Sequence, residues 1–313
     1  MKTIKSYLLV FFVVLGGILF YFFSYQQQDS AESSSDQVQL VDVNTGTPIA
    51  PVVRKSDGFD PLKGEAVKPL PSYLKKSLHW LANAQARNGG YGAGQHTNQK
   101  NRDPRNVNVD PATTAFVGLA LMRVGNTLEE GPYHANLNRA LMFVLKNVEG
   151  AKEDAPNITK LRGTQPQTKL GQNIDVSLAS QFLIRISPMA VDDDALQIRI
   201  DEAIAKCLRK LESTQLADGS WNDRGWARVL SSAMANNALE MAEEKGIEFD
   251  KKVLALSRKY QQQNVDAKSG RVKTDKAAGI SLYAYSSSQR ATAVNAKKVQ
   301  KVMDAQGIKE NSS

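Results

Sequence analysis

The spacing of hydrophobic residues changes at about residue 72 of the chain. Before this point, one uninterrupted apolar run is followed by a stretch rich in Ser, Gln, Asp and Pro. Beyond it, apolar residues recur about every 3.6 positions between Gly, Asp and Pro breaks, and no window alternates with a period of two. The pattern predicts an all-α domain over residues 72–306 with a tail at 307–313. Nine helices are expected, at 72–86, 110–125, 134–148, 173–187, 197–214, 226–245, 249–263, 276–291 and 294–306.

The predicted helices are of two alternating kinds. The first, third, fifth, seventh and ninth carry a narrow apolar stripe opposite charged residues, which predicts one face toward water. The second, fourth and sixth, at 110–125, 173–187 and 226–245, are richer in small and apolar residues. Those helices are expected to be covered on most sides. The pattern therefore predicts an inner ring of helices inside an outer ring.

The first 25 residues indicate a membrane anchor. Lys2 and Lys5 precede an apolar run that ends at Phe23 and is long enough to nearly cross a hydrocarbon core of about 30 Å. Basic residues on this side predict a cytoplasmic N-terminus and an extracytoplasmic C-terminal domain, periplasmic in a Gram-negative bacterium. A cleaved signal peptide is the alternative, although no A-x-A-like box follows the run. Residues 26–71, with two short apolar islands (VQLVDV and PIAPVV), are interpreted as a linker.

Composition and charge exclude several classes of site. The single cysteine, Cys207, leaves no intrachain disulfide, and three histidines are too few to suggest an all-protein metal centre. No metal or cofactor is expected. Residues 251–313 contain 13 Lys and Arg against 4 Asp and Glu, a surplus of nine, so the rest of the chain sums to −1 of the total +8. A basic chain that binds nucleic acid is not indicated, and the predicted topology also disfavours it.

Two segments that follow outer helices share one pattern. Residues 85–91 read QARNGGY and residues 215–221 read QLADGSW. Both resemble the Gln-x-x-Asp-Gly-x-Trp motif of the prenyltransferase and squalene-oxidocyclase repeat superfamily, whose domains are α/α toroids. The glutamine can bond backbone groups at the helix end, the glycine permits the chain reversal, and the aromatic ring can pack across the next helix. The structural motif residues are Gln85, Gly89, Gly90, Tyr91, Gln215, Asp218, Gly219 and Trp221.

The resemblance implies an α/α toroid of about four and a half helical pairs. Asp110 and Pro111 fit the N-cap and first position of an inner helix. Segments 145–150 and 262–270 keep only parts of the motif, and the sequence stops where a fifth copy would begin. The ring is therefore expected to be open, distorted, or completed by another chain such as a second copy of this one.

Three activities of the superfamily lack their residues here. Residues 192–194 are Asp-Asp-Asp rather than the Asp-x-Asp-Asp of protonating cyclases, and they precede an outer helix, where an N-cap is expected. Cys207 lies on an apolar stripe, which predicts an inert core thiol rather than a zinc ligand. The Cys-Gly-Glu-Gln sequence of thioester-containing toroids is absent. The balance of the sequence is against an enzyme.

The loops that lead into inner helices gather, in a toroid, at one mouth of the central cavity. Here the four mouth loops (92–110, 149–175, 218–228 and 266–276) include two, the first and the second, that are much longer than ordinary helix connections, and long loops of this kind are commonly functional. A ligand is therefore expected at the mouth. The candidates for contact with it are Arg102, Arg105, Arg162, Gln165, Lys169, Gln172, Arg224 and Arg228.

These features favour a binding or scaffold module whose ligand or protein partner occupies the mouth. The alternative is a cyclase-like or lyase-like enzyme acting on an isoprenoid, another lipid or a polysaccharide, with Asp110, Asp175 or His96 transferring protons. Helix-end amides are expected to lower the pKa of Asp110 and Asp175, which suits a base. A purely structural role, in which both aspartates cap helices, is the competing interpretation.

Overall fold

The structure, a computed structural model, describes residues 40–41, 48–49, 70–94, 103–221, 226–266 and 280–305, with residues 269, 271, 273 and 277. The chain divides into two compact units, Met1–Glu65 and Ala66–Ser313. The predicted anchor at 1–25 and the tail at 307–313 lie outside the described residues. Among the residues that are described, no helix is long and apolar enough to cross a membrane.

The first unit contains a small pair of strands. Strand β1 (Leu40–Val41) pairs with β2 (Pro48–Ile49) in antiparallel register, with Leu40 opposite Ile49 and Val41 opposite Pro48. These strands come from the two apolar islands of the predicted linker. β-Branched residues in islands without helical period favour this extended pairing.

The second unit confirms the predicted all-α class, since its regular elements in the described ranges are helical. Short 3₁₀ turns lie at Pro104–Asn106 and Ser187–Met189. The α-helices are α1 (Ser72–Ala84), α2 (Pro111–Arg123), α3 (His134–Glu149), α4 (Gln165–Leu170), α5 (Ile174–Ile186), α6 (Asp194–Thr214), α7 (Arg228–Glu244), α8 (Lys251–Gln262) and α9 (Ser281–Ala305).

Two predictions of helix number are wrong. The helices expected at 276–291 and 294–306 form one continuous helix, α9, because the segment around the expected break, residues 291–296 (ATAVNA), contains no Gly or Pro to end the first. The short helix α4 was not expected inside the loop 149–175. The described part of the chain therefore forms four outer–inner pairs, α1/α2, α3/α5, α6/α7 and α8/α9, instead of four and a half.

The predicted alternation of inner and outer helices agrees with the packing. Helix α5 packs against both α2 and α7, and α7 packs against α9, so these helices form a continuous row. Of the 13 residues of α5, all but Arg185 are buried, whereas α6 buries only the stripe that includes Ile204, Cys207 and Leu211. A Cβ on Gly118 would lie 2.5 Å from the ring of Phe182, which explains the close approach of α2 and α5.

The first motif copy folds into a turn between α1 and α3. The Gln85 side-chain amide donates to the carbonyl oxygens of Gly89 (2.8 Å) and Asn136 (2.9 Å), the latter in α3. The backbone N–H of Tyr91 donates to the Thr114 hydroxyl of α2 at 2.9 Å. The turn thus ties one outer helix to the next outer helix and to an inner one.

The second motif copy repeats these contacts between α6, α7 and α8. Gln215 donates to the carbonyls of Gly219 (3.2 Å) and Val253 (2.8 Å), the latter in α8. The backbone N–H of Trp221 donates to the Ser232 hydroxyl of α7 at 3.0 Å. Two segments far apart in sequence therefore form the same three-helix junction, as their shared pattern predicts.

Each junction needs glycine for two reasons. Gly89 and Gly219 have φ of 87° and 85°, and a Cβ on either would lie 2.2 Å from a backbone carbonyl of the next outer helix, Arg139 O or Leu256 O. A left-handed conformation and this close approach both disfavour any side chain. In the second copy, the Asp218 carboxylate also accepts from the backbone N–H of Ser220 (3.1 Å) and from Arg228 (2.9 Å).

The divergent turn after α3 is held in another way. Its segment 145–150 lacks the glutamine and the aromatic residue of the motif. Instead, the ammonium of Lys210 in α6, a residue only 1% exposed, donates to the carbonyls of Lys152, Glu153 and Ala155. Burial lowers the pKa of this lysine. A buried cation on the next outer helix therefore replaces the motif glutamine in this repeat.

Candidate functional site

Asp110 is the N-cap of α2, as its position before Pro111 predicts. Its carboxylate accepts from the backbone N–H of Thr113 at 2.7 Å and from the Thr113 hydroxyl at 2.8 Å. The backbone of Asp110 pairs with Tyr91 of the first motif turn, and its N–H donates to the Tyr91 carbonyl at 2.8 Å. The residue is fully buried. The repeat motif therefore fixes this carboxylate at the start of an inner helix.

Asp175 lies in the first turn of α5 but does not cap it. The N-cap position is Asn173, which makes no side-chain cap bond; its amide instead donates to Thr214. The fully buried Asp175 carboxylate accepts from the Gln167 side-chain amide at 2.7 Å through Oδ2. Its Oδ1 is buried and has no hydrogen-bond partner. Capping of its own helix therefore does not account for this aspartate.

The two carboxyl groups form one electrostatic site. The backbone N–H of Ala112 in α2 lowers the pKa of both groups, and the charge of Asp110 raises the pKa of Asp175. Two carboxyl groups that are 65 residues apart in the sequence thus lie together where α2 and α5 begin. The structure therefore brings together two of the residues that the sequence offered as proton-transfer candidates.

The expected direction of their pKa shifts is wrong. Burial raises the pKa of Asp110 to about 6, although helix-end amides and Thr113 act in the opposite direction. Burial and the Asp110 charge raise the pKa of Asp175 to about 7, against the Gln167 bond and the Arg162 charge. Loss of solvation therefore outweighs the helix-end amides here. Near neutral pH the pair exchanges protons and does not act as two fixed anions.

Helix α4 links the mouth loops around this pair. Thr164 and Gln167 form a capping box at its start, and the Gln165 backbone N–H donates to the Gly94 carbonyl at 3.0 Å. At its other end, the Lys169 carbonyl accepts from the Ala227 N–H at 3.1 Å. A six-residue helix therefore joins the loops before α2, α5 and α7.

Two further side chains of α4, Gln165 and Lys169, contribute to the site. Gln165 is 9% exposed and its Oε1 has no hydrogen-bond partner. The Lys169 ammonium lies 4.7 Å from the ring centroid of Trp226, a residue that is 45% exposed. Cation–π contact of this kind positions both side chains. The site thus combines buried acceptors with an exposed aromatic ring.

The other predicted contact residues are dispersed or lie outside the described residues. His96, Arg102 and Arg224 belong to the latter group. Arg105 and Gln172 are exposed, and Arg228 is engaged by Asp218 and Ser220 of the motif turn. The Arg162 guanidinium donates to the carbonyls of Thr159 and Leu161 and to Asn157.

Sequence reasoning missed Gln167, Thr113 and Trp226. Gln167 carried a usable signal, since Thr164-Gln-Pro-Gln is a capping-box pattern that starts a helix. Cys207 is buried as expected, and burial raises the pKa of its thiol to about 12. Among the described residues, no group of three or more metal-ligating side chains comes together.

The pH dependence of stability provides a test of the pair. Both folded-state pKa values lie above the ordinary 3.8, so the folded protein binds these protons more tightly than the unfolded chain does. Their stabilising contribution is complete below about pH 4 and is lost as the pH rises through 6 and 7. If folding raises the pKa of a carboxyl group by one, the free energy of unfolding is about 1.4 kcal/mol larger at low pH than at high pH. We expect the free energy of unfolding in urea to fall between about pH 5 and about pH 7.5.

The variant Asp175→Asn should flatten this slope, whereas Asp192→Asn, at an exposed aspartate before α6, should leave it unchanged. Parallel slopes for the wild type and Asp175→Asn would contradict the assignment.

Comparisons with family models, with curated proteins and with solved structures find no match for this chain.

Proposed function

We propose that this protein is a binding or scaffold module whose ligand occupies the mouth formed where α2, α5 and α7 begin. One observation supports this most strongly: the buried Asp175 carboxylate, beside Asp110, has an oxygen without a partner. An unsatisfied buried acceptor costs about 1–3 kcal/mol. Strain, a catalytic role, or a bound water or ion accounts for such groups in native proteins, and a polar ligand would satisfy the same oxygen.

The wider architecture is proposed as an α/α toroid related to the prenyltransferase and squalene-oxidocyclase repeats. The support is the repeated junction at Gln85 and Gln215, with equivalent partners in the next outer and inner helices. In the same proposal, the apolar run at residues 7–23 anchors the protein and places the helical unit outside the cytoplasmic membrane. The lysines before the run and the polar linker after it support this orientation.

A second candidate function is an enzyme that transfers protons at the same mouth. The observation that favours it is the pair of pKa values, about 6 for Asp110 and about 7 for Asp175. A general acid or base works best with a pKa near the operating pH. The substrate would be a lipid, such as an isoprenoid, or a polysaccharide. Turnover that survives both Asp110→Asn and Asp175→Asn would exclude this function.

The binding function can be tested by thermal shift on the full chain. Panels of neutral oligosaccharides, organic ammonium ions, acidic glycans and short peptides would be screened for a concentration-dependent rise in melting temperature. A ligand present at about 100 times its Kd stabilises by about 2.7 kcal/mol. We expect Lys169→Ala and Asp175→Asn to lose the rise while keeping the helical circular dichroism spectrum. Lys252→Ala, at an exposed lysine of α8, is the matched control.

If no compound shifts the melting temperature, or if Lys252→Ala loses the shift as fully as Lys169→Ala does, the proposed binding site is wrong.

A further inference from the structure

We infer that the mouth binds a neutral, hydroxyl-rich ligand, an oligosaccharide, with Asp175 and Gln165 as hydrogen-bond acceptors and Trp226 as the surface for a sugar ring. This inference rests on the proposed binding function and adds the chemical class of the ligand.

The unpartnered groups of the site decide which hydrogen-bonding role the ligand takes. Asp175 Oδ1 and Gln165 Oε1 are both buried and both lack a donor. Gln167 already donates to the other oxygen of Asp175 and to the Leu161 carbonyl. At a pH where Asp175 is ionised, a ligand that completes the site must therefore supply N–H or O–H donors to Asp175 Oδ1 and Gln165 Oε1. This requirement disfavours ligands that only accept, such as phosphate or carboxylate groups.

The charges around the site decide between a hydroxyl and an ammonium. Burial raises the pKa of Asp110 to about 6 and of Asp175 to about 7, so the two aspartates together carry less than two negative charges near neutral pH. Arg162 and Lys169, on the loop and the helix beside them, carry two positive charges, and the Arg162 charge already acts on Asp175. A cationic ligand would therefore be repelled by Arg162 and Lys169, whereas a neutral hydroxyl would not.

Trp226 provides the apolar part of the site. The Lys169 ammonium covers one part of the ring, and nearly half of the residue is exposed. The Ala227 N–H, bonded to the Lys169 carbonyl, fixes the indole beside α4. An exposed Trp combines a flat apolar surface with a polar edge. A sugar ring has the same two characters, with C–H groups on its faces and hydroxyls at its edge.

Helix α4 sets the distance between the two parts. Gln165 and Lys169 are about one turn apart, ~6 Å along the helix axis. Between them, Gln167 holds Asp175. Helix α4 thus contains one acceptor, Gln165, and contacts the other acceptor and the aromatic ring, since Gln167 bonds Asp175 and Lys169 lies over Trp226. Adjacent rings of an oligosaccharide can contact the acceptors and the indole at once.

The experiment titrates the full chain with cellopentaose, chitopentaose and maltopentaose, followed by calorimetry and by Trp fluorescence. We expect saturable binding of at least one of these sugars. Trp226→Ala and Gln165→Ala should each weaken it at least tenfold. Two matched controls should stay within twofold: Trp80→Ala, which removes an exposed indole on α1, and Gln262→Ala, which removes an exposed amide on α8.

Absence of saturable binding to all three sugars overturns the inference, and so does an equal loss of affinity in Trp80→Ala and Trp226→Ala. Titrations with choline and with polygalacturonate separate this failure from failure of the proposed function. If either of these binds and Lys169→Ala or Asp175→Asn abolishes the binding, the mouth is a binding site for another class of ligand. If neither these probes nor the sugars bind, the proposed binding function fails as well.

Discussion

Replacing Trp221 by alanine is expected to destabilise the helical unit by about 3–5 kcal/mol, the range for truncation of a buried aromatic residue. Trp221 is fully buried and is the largest side chain in the core. Its indole N–H donates to the Leu211 carbonyl at 2.8 Å, near the end of α6. The variant would lose this bond and leave a cavity where α6, α7 and α8 meet. Urea unfolding monitored by circular dichroism measures the loss.

Trp80 provides the control for this prediction. It is 57% exposed on α1, so Trp80→Ala should change the free energy of unfolding by no more than about 0.5 kcal/mol. An unchanged melting temperature for Trp221→Ala would mean that the motif does not form the junction described, and the assignment of the repeats would then be wrong.

The second large effect is expected for Gly219→Ala, at roughly 3–5 kcal/mol. Two costs contribute: a left-handed backbone at φ 85°, worth about 1–3 kcal/mol for a non-glycine residue, and the contact of the new Cβ with Leu256 O at 2.2 Å. Backbone atoms of α8 cannot move aside as a flexible side chain could. Relief of this contact would separate α6 from α8.

Gly246→Ala isolates the first cost from the second. Gly246 has a similar φ of 71°, but nothing lies within 4 Å of a Cβ placed there. We expect it to cost only about 1–2 kcal/mol, the penalty for the left-handed conformation. Chemical denaturation of both variants gives the difference directly. Equal destabilisation by the two substitutions would show that close helix packing at Gly219 is not what selects glycine.

The junctions were predictable because a few local rules determine them. Gln215 and Gly219 were recognisable from their spacing to Trp221, and their contacts are those that a reversing turn requires. The burial of α5 followed from its composition, which is mostly small and apolar up to Arg185. Local pattern and tertiary packing agree in these elements, so the sequence was enough to predict them.

Other features depend on contacts that no local pattern encodes. The last two predicted helices form the single helix α9 because no helix breaker separates them. The expected repeat length had suggested a break there. The raised pKa of Asp110 depends on how deeply the loops bury it, whereas its capping amides alone suggested the opposite shift. Lys210 replaces the motif glutamine from the next outer helix, α6, at a position far away in the sequence.

The candidate site was predictable in outline only. Asp110, Asp175, Gln165 and Lys169 were expected at one mouth, and α4 connects the segments that carry them. The contribution of Trp226 was missed, since its role arises from contact with Lys169 across the fold and not from a motif of its own. Long-range pairing of this kind is visible only once the loops are placed.

Carboxyl groups from two different inner helices, Asp110 at the N-cap of α2 and Asp175 in α5, form one buried site. Carbon-13 NMR titration of the aspartate carboxyls tests it most directly, in the wild type and in Asp110→Asn. We expect midpoints near 6 for Asp110 and near 7 for Asp175, and a lower midpoint for Asp175 in the variant because the neighbouring charge is gone. Midpoints near the ordinary 3.8 for both groups, with no change of Asp175 in the variant, would contradict the account.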